Sequence, residues 1–275
     1  MEKSEQRLKI IEKIAELERQ GLWDKDVEDD PVTIELLPDK VDYLNKKLTS
    51  KIATFFANKA GTKFFEKMIK NKQLIIKDVV GIENFTKVET GAILTSNHFN
   101  PCDNYAIWRV IKPFMKRRKL YKVIREGNFT NSPPPYGFIM RHCNTLPLSS
   151  NTATMRLFMR ATAELLNRGE KILVYPEQGM WWNYRKPRPM KEGAFRLAAN
   201  NNVPVIPIFI GMSDSDVLDG DGFFVQEYTI FILPAIYPKA ELSKKENIEY
   251  MKNENYKLWV KTYEDFYKMK LTYEK

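Results

Sequence analysis

The stretch Gly91-Ala92-Ile93-Leu94-Thr95-Ser96-Asn97-His98-Phe99-Asn100-Pro101-Cys102-Asp103 passes from a short apolar run into a turn and then into a helical segment. The run reads as a buried strand, Pro101 suits a tight turn, and Asp103 fits the N-cap of a helix beginning at Asn104. An imidazole in that turn sits at the carboxyl end of a strand, where open α/β sheets bind their ligands.

The same alternation continues on both sides. Apolar runs at Leu74 to Val80, Tyr121 to Ile124, Leu146 to Leu148, Ile172 to Tyr175 and Val203 to Ile210 are separated by helical patterns near 103–112, 134–142, 152–168 and 190–201. This order predicts an α/β fold with a mainly parallel sheet flanked by helices. Val225 to Ile236 adds strand material, and 243–270, with Ile248, Met251, Trp259, Tyr263 and Phe266, reads as a closing C-terminal helix.

Upstream, Leu8, Ile11, Ala15 and Leu17 fall at roughly helical spacing, followed by the acidic run Asp24 to Asp30 and Pro31. Val41, Leu44, Leu48, Ile52, Phe55 and Phe56 then share one side of a helical wheel with lysines on its flanks. Gly61 is expected to separate this helix from a second one carrying Phe64, Phe65, Met68 and Ile69. The expected organisation is an accessory helix and acidic linker over 1–40, amphipathic docking helices over 41–72, and an α/β domain over 73–275. No internal repeat or low-complexity tract interrupts it.

At 43% hydrophobic and 12% aromatic residues, the 275-residue chain can bury a sizeable core. Its net charge of +9 is unevenly spread: residues 1–30 hold ten acids against six bases, 40–72 hold nine lysines against Asp42 and Glu66, and 112–125 hold seven bases and no acid. Two readings stand open for such stripes, a solvated lysine face or a surface for anionic lipid. The basic runs lack any nucleic-acid recognition module, so no nucleic-acid partner is expected. An amphipathic helix over 41–70 suits an anionic bilayer surface and equally suits packing on its own domain.

The two cysteines, Cys102 and Cys143, make no disulfide framework, and the chain starts with charges, so a reducing, cytoplasmic location is expected. No stretch approaches the roughly 20 apolar residues that cross a bilayer, so membrane contact is expected to be peripheral, on the inner face of the cell membrane.

His98 and His142 are the only imidazoles. His98 has the better setting. The turn can bring Asp103 back onto one ring nitrogen, fixing the tautomer and leaving the other free to take a proton. Such a dyad has no nucleophile of its own, so a substrate hydroxyl would supply it. As bare spacing, His98 followed by Asp103 is also what ordinary helix capping produces. There is no Gly-x-Ser-x-Gly elbow and no phosphate-cradling glycine loop, which argues against a serine hydrolase or a nucleotide enzyme. Cys102 and the adjacent His142-Cys143 lack the paired spacing of a zinc site, and neither a metal nor a cofactor is expected.

Val80-Gly81-Ile82-Glu83-Asn84, then Leu94-Thr95-Ser96-Asn97-His98 and Asp103, resemble the glycerophospholipid acyltransferase family, the PlsC-like lysophosphatidate acyltransferases. Arg125-Glu126 resembles a Lys-Glu block of that family, Tyr175-Pro176-Glu177 the start of its Phe-Pro-Glu-Gly-Thr-Arg block, and Val203-Pro204-Val205-Ile206-Pro207 its final apolar block. The resemblance covers roughly 75–235. It implies an O-acyl transfer with His98 as general base, Asp103 as its orienting partner, and Asn97, Arg125 and Glu177 in substrate binding. It implies acyl carrier protein or acyl-coenzyme A as donor and a lysolipid such as lysophosphatidate as acceptor.

Departures accompany the matches. Met180 stands where the family offers a phosphate-binding arginine, and Ser149-Ser150 lie near the place of another. Arg185, Lys186, Arg188 and Lys191 follow closely and are expected to replace that charge, against the alternative of a basic surface loop. Trp181, Trp182 and Tyr184 could grip a sugar or headgroup, lie at the bilayer interface, or belong to the core. Two functional alternatives remain beside the phosphate acceptor: the same chemistry on a glycolipid or other non-phosphate acceptor, and a non-catalytic lipid-binding protein on the same fold.

Overall fold

The computed structural model describes residues 2–274. Along the chain run α1 (Glu5–Arg19), α2 (Leu48–Lys70), β1 (Ile75–Val80), α3 (Ile82–Thr86), β2 (Ala92–Ser96), α4 (Asp103–Ile111), β3 (Leu120–Ile124), α5 (Glu126–Thr130), α6 (Tyr136–His142), β4 (Thr145–Pro147), α7 (Thr152–Asn167), β5 (Lys171–Val174), α8 (Gly193–Asn201), β6 (Val205–Leu218), β7 (Phe224–Ile232) and α9 (Lys244–Tyr267). The fold is α/β, with a sheet of seven strands ordered β1-β7-β6-β2-β5-β3-β4. β6, β2, β5, β3 and β4 are mutually parallel, whereas β7 turns back antiparallel on β6 and takes β1 parallel to itself.

β2 lies in the middle, buried along its whole length. Its side chains alternate between two cores, as the period of a strand requires. Ala92 and Leu94 face a cluster built with Phe85, Tyr105, Ala106 and Ile111 from α3 and α4. Ile93 faces a second with Phe158, Leu165, Phe195 and Met251 from α7, α8 and α9. Helices therefore cover both faces, which explains why these strands read as continuous apolar runs. Leaving β2, the chain passes beyond β5 to build β3 and β4, returns to β5, and then crosses to β6 on the other side of β2. That reversal puts the carboxyl ends of β2 and β5 side by side at a switch point, with Thr95 opposite Val174.

Two expectations at the N-terminal end change. α2 runs unbroken through Gly61, which is buried against Cys143 at the end of α6, so this glycine breaks nothing. The helix starts at Leu48. Val41, Tyr43 and Leu44 precede it and pack into the core near Phe158, with the Tyr43 hydroxyl donating to the Pro147 carbonyl at 2.8 Å. In α1 the buried stripe is Ile10, Ile14 and Glu18, while Leu8 and Ile11 face outward. The closing helix is as expected, and its Ser243 and Glu246 form a reciprocal cap.

Gly81 connects β1 to α3 in the left-handed region at φ +81°, and a Cβ there would meet the Ile232 carbonyl oxygen at 2.2 Å. The Asn84 amide donates to that same oxygen at 2.9 Å. Gly81→Ala should therefore cost about 1–3 kcal/mol or more from strain and overpacking, read as a lowered midpoint in urea unfolding.

Candidate active site

The turn after β2 is fixed before any side chain acts on a substrate. The Asn97 amide is buried and spent on backbone: its nitrogen donates to the Ile210 carbonyl at 3.0 Å and its oxygen accepts from the Ile210 amide at 2.8 Å. It extends the β2–β6 pairing by one side chain, so in this structure Asn97 positions His98 and offers no free group to a substrate.

His98 Nδ1 lies 2.8 Å from Asp103 Oδ2. Because a carboxylate can only accept, Nδ1 carries the proton and Nε2 is left with its lone pair. The His98 side chain keeps 19% of its surface exposed, whereas that of Asp103 keeps none. Asp103 begins α4 but does not cap it. Its Oδ2 also accepts from the Phe99 and Asn100 amides at 3.3 and 3.4 Å, closing the turn on itself, and its Oδ1 accepts from the Tyr175 hydroxyl. Tyr175 further lies flat against the imidazole, ring centroids 3.9 Å apart at 17°. Burial, and after it the adjacent Asp103, push the Tyr175 hydroxyl well above its ordinary pKa, so it stays a donor. The sequence reading gave this tyrosine no role. The signal was present in the hydroxyl it carries where the resembling block has Phe.

Glu177, at the end of β5, binds inward. Its Oε2 accepts from the His98 amide at 3.1 Å and from Arg188 Nη2 at 3.1 Å, and its Oε1 accepts from the Arg188 amide at 2.7 Å. Arg188 is 1% exposed, stacks over Trp181 at 4.6 Å and donates to the Trp23 and Gly179 carbonyls. The expected acceptor-binding pair is thus a buried ion pair under the His98 turn. The physical reason is desolvation: a guanidinium with three acceptors and an aromatic face has no water to give up to a phosphate.

The remaining expected cations are also engaged. Arg125 takes Asp26 bidentately at 2.7 and 2.8 Å and also binds Asp30; Lys186 meets Glu18 at 2.6 Å; Lys191 meets Asp24 at 3.1 Å; Arg185 meets Asp214 at 2.6 Å and Gln226 at 3.0 Å. The five acids on these four side chains trace to two sources only: Asp214 on β6, and the segment 18–30. That segment, the end of α1 and the acidic run expected as a linker, crosses the block after Glu177. Trp23 stacks on Trp181, the Lys25 carbonyl accepts from Trp181 Nε1 at 2.9 Å, and Val27 joins Ile10, Ile14, Trp181 and Trp182 in one apolar cluster. Trp181 and Trp182 are therefore core residues. Ser149 and Ser150 complete the fastening: the Ser149 hydroxyl and the Ser150 amide donate to Glu126, which also accepts from the Leu36 amide at 2.8 Å. Burial pushes the Glu126 carboxyl up, but these donors outweigh it and hold it below its ordinary value.

Residues 77–211 match the family model described as Acyltransferase. This part of the chain is an acyltransferase-family domain. The chain is similar to two chloroplastic 1-acyl-sn-glycerol-3-phosphate acyltransferases, one of Brassica napus at 29% identity over 48% of this chain and 36% of that protein, the other of Arabidopsis thaliana at 27% over 48% and 35%. The matched stretch spans about a third of each plastid relative's length. The crystal structure of the 1-acyl-sn-glycerophosphate acyltransferase PlsC from Thermotoga maritima shares the fold, with a TM-score of 0.51 at 20% identity over 84% of this chain and 87% of that one.

Cavities of about 230 Å³ beside Tyr43 and His142, and about 390 Å³ beside Trp182 and Arg185, do not include His98 in their walls. The imidazole reaches solvent by only part of its surface.

The two arginines should separate sharply. Arg188→Met should cost about 3–5 kcal/mol by leaving Glu177 buried and unpaired. Arg185→Met, at an ion pair 40% and 54% exposed, should move stability by less than about 1 kcal/mol. Urea unfolding of both variants checks the contrast.

Proposed function

We propose that this protein is an O-acyltransferase that moves a fatty acyl group from a thioester, acyl carrier protein or acyl-coenzyme A, to a hydroxyl of a lysolipid. The observation that carries the reading is the His98–Asp103 pair with Nε2 free on a partly exposed ring, in a domain of the acyltransferase family. His98 Nε2 takes the proton of the acceptor hydroxyl as its oxygen attacks the thioester carbonyl. The tetrahedral intermediate collapses with a C–O ester bond formed and the C–S bond broken. The imidazolium then returns its proton to the departing thiolate, leaving His98 as it began. Asp103 holds the ring and stabilises its transient positive charge, and Tyr175 and Glu177 hold Asp103 and the His98 amide in turn.

The exposed face of α2 supports a reading in which the reaction takes place at a membrane surface. Leu48, Ile52, Phe55 and Phe56 are exposed along it, Phe55 by 63% and Phe56 by 57%, with Lys47, Lys51 and Lys59 nearby in sequence. No helix among the described residues is long and apolar enough to cross a membrane. In this reading α2 lies on the anionic inner face of the cell membrane, with its phenylalanines inserted and its lysines on the lipid headgroups. The other half of α2 braces α4. Phe65 stacks on Tyr105 at 4.3 Å, and Glu66 accepts from Tyr105 and Arg109 at 3.0 and 2.6 Å. The docking helix thus rests on the helix that begins with Asp103.

Incubating the protein with a labelled acyl thioester and a panel of lysolipids, with products resolved by mass, tests the reaction. His98→Ala should lower transfer about 100- to 10,000-fold with the fold intact, and Asp103→Asn should be milder. Near-native turnover by His98→Ala would remove the imidazole from the mechanism.

Membrane docking is tested by cosedimentation with anionic vesicles. Phe55→Ser with Phe56→Ser should abolish it, and rising salt should weaken the intact protein's binding. Undiminished binding by the folded double variant would assign these side chains no part in docking.

A further inference from the structure

The strap formed by residues 23–30 packs against the block after Glu177, in which the family resemblance would put a phosphate-binding arginine at the position of Met180. It carries Asp24, Asp26, Glu28, Asp29 and Asp30 against Lys25 alone. Asp26 and Asp30 occupy the Arg125 guanidinium, whose Nη2 stands 3.8 Å from the Cβ position of Gly179, two residues past Glu177. Asp24 occupies Lys191. The rest of the basic complement is engaged as well: Arg188 is buried on Glu177, Lys186 is on Glu18 and Arg185 is on Asp214. Met180 and Ser149-Ser150 bring no charge, and the Ser149 hydroxyl and Ser150 amide are already donating to Glu126.

We infer that the strap is a specificity element, and that the acceptor of this enzyme bears no phosphate monoester: it is an uncharged, hydroxyl-bearing lipid such as a monoacylglycerol or a monoacyl glycolipid. The inference rests on the acyltransferase reading above. Its physical basis is repulsion. A phosphate entering this rim has to displace two carboxylates from Arg125 and then stand beside them, with Asp29 on the same short segment and Asp24 and Glu28 already paired to Lys191 and Arg7. Like charges set against the wrong ligand are an ordinary way to gain selectivity, and they act without any new contact to the right one. An uncharged head group meets no such barrier, and its hydroxyls can donate to the strap's carboxylates.

The strap is fixed in this position at several independent points. Trp23 lies against Trp181 and Tyr273, Val27 is buried, the Lys25 carbonyl holds Trp181 Nε1, and the Leu36 amide is held by Glu126. An acceptor phosphate competing for Arg125 therefore competes with carboxylates whose ordering entropy has been met by the fold.

The test compares kcat/KM for a 1-acylglycerol-3-phosphate and for the monoacylglycerol of the same chain length, with one acyl donor, for the intact protein, Asp26→Asn with Asp30→Asn, and His98→Ala. The intact protein should favour the monoacylglycerol at least tenfold. The double variant keeps hydrogen-bonding side chains but releases the Arg125 charge, and should shift the ratio at least tenfold toward the phosphate acceptor. Adding Arg125→Gln should reverse that shift. An intact protein that favours the phosphate acceptor, or favours neither, overturns the inference, and this result stands even if the double variant fails to fold. A folded double variant with an unchanged ratio overturns it too. Absence of any His98-dependent transfer to either acceptor is a different result: it overturns the acyltransferase reading itself, and the inference with it.

Discussion

A carboxylate taken wholly out of water has to be surrounded by donors, and the site is organised around that requirement at Asp103. Its donors come from three places: the imidazole of His98, the amides of Phe99 and Asn100 in the same turn, and the hydroxyl of Tyr175 at the end of β5. Each is supplied by a different level of structure. The amides require the turn, the imidazole requires Asn97 to fasten that turn to β6, and the tyrosine requires β5 to lie beside β2. Removing any one leaves a buried acceptor short of a partner, which costs more than the bond itself contributes. The dyad is therefore a property of the sheet's strand order as much as of two side chains.

Glu177 repeats the arrangement one layer further out. It accepts the His98 amide and holds Arg188, and Arg188 in turn reaches the Trp23 and Gly179 carbonyls. Charge that the sequence offers as ligand-binding is consumed in joining the turn after β2 to the loop after β5 and to the N-terminal segment. The acidic and basic runs, far apart in sequence, are complementary surfaces of one molecule. This explains how a chain of net charge +9 leaves so little free positive charge around its candidate site.

The sheet was legible because each of its strands is a short apolar run and each crossover has helical periodicity; the bounds agree within a few residues except at β6, which continues to Leu218 as the partner of β7. His98 and Asp103 were legible because turn, base and carboxylate lie within six residues. What pattern reading could not supply was partnership over distance. Arg188 looks like a surface arginine until Glu177 is known to point inward. Gly61 looks like a helix break until Cys143 is found against it. Val41 and Leu44 fit a helical wheel, yet the chain there is irregular because the core near Phe158 takes them. Residues 24–30 have the composition of a solvated linker, and the cations opposite them, with Trp181 and the pocket for Val27, give the segment a place.

The contacts that seat that segment join residues separated by 99 positions at Asp26–Arg125, 165 at Trp23–Arg188 and 256 at Glu18–Glu274. Sheet pairings span comparable distances, as at Ile75–Glu227, but each is reinforced by a continuous ladder, whereas these contacts are mostly partly exposed side-chain pairs at the rim, so they should open before the sheet does. On the ribosome, the segment emerges long before Arg125, Arg188 or Glu274 exists to receive it. Glu28 finds Arg7 already made, but Asp26 and Asp30 wait for Arg125 and Asp24 waits for Lys191, so the rim of the site is assembled in steps as the later strands and loops emerge.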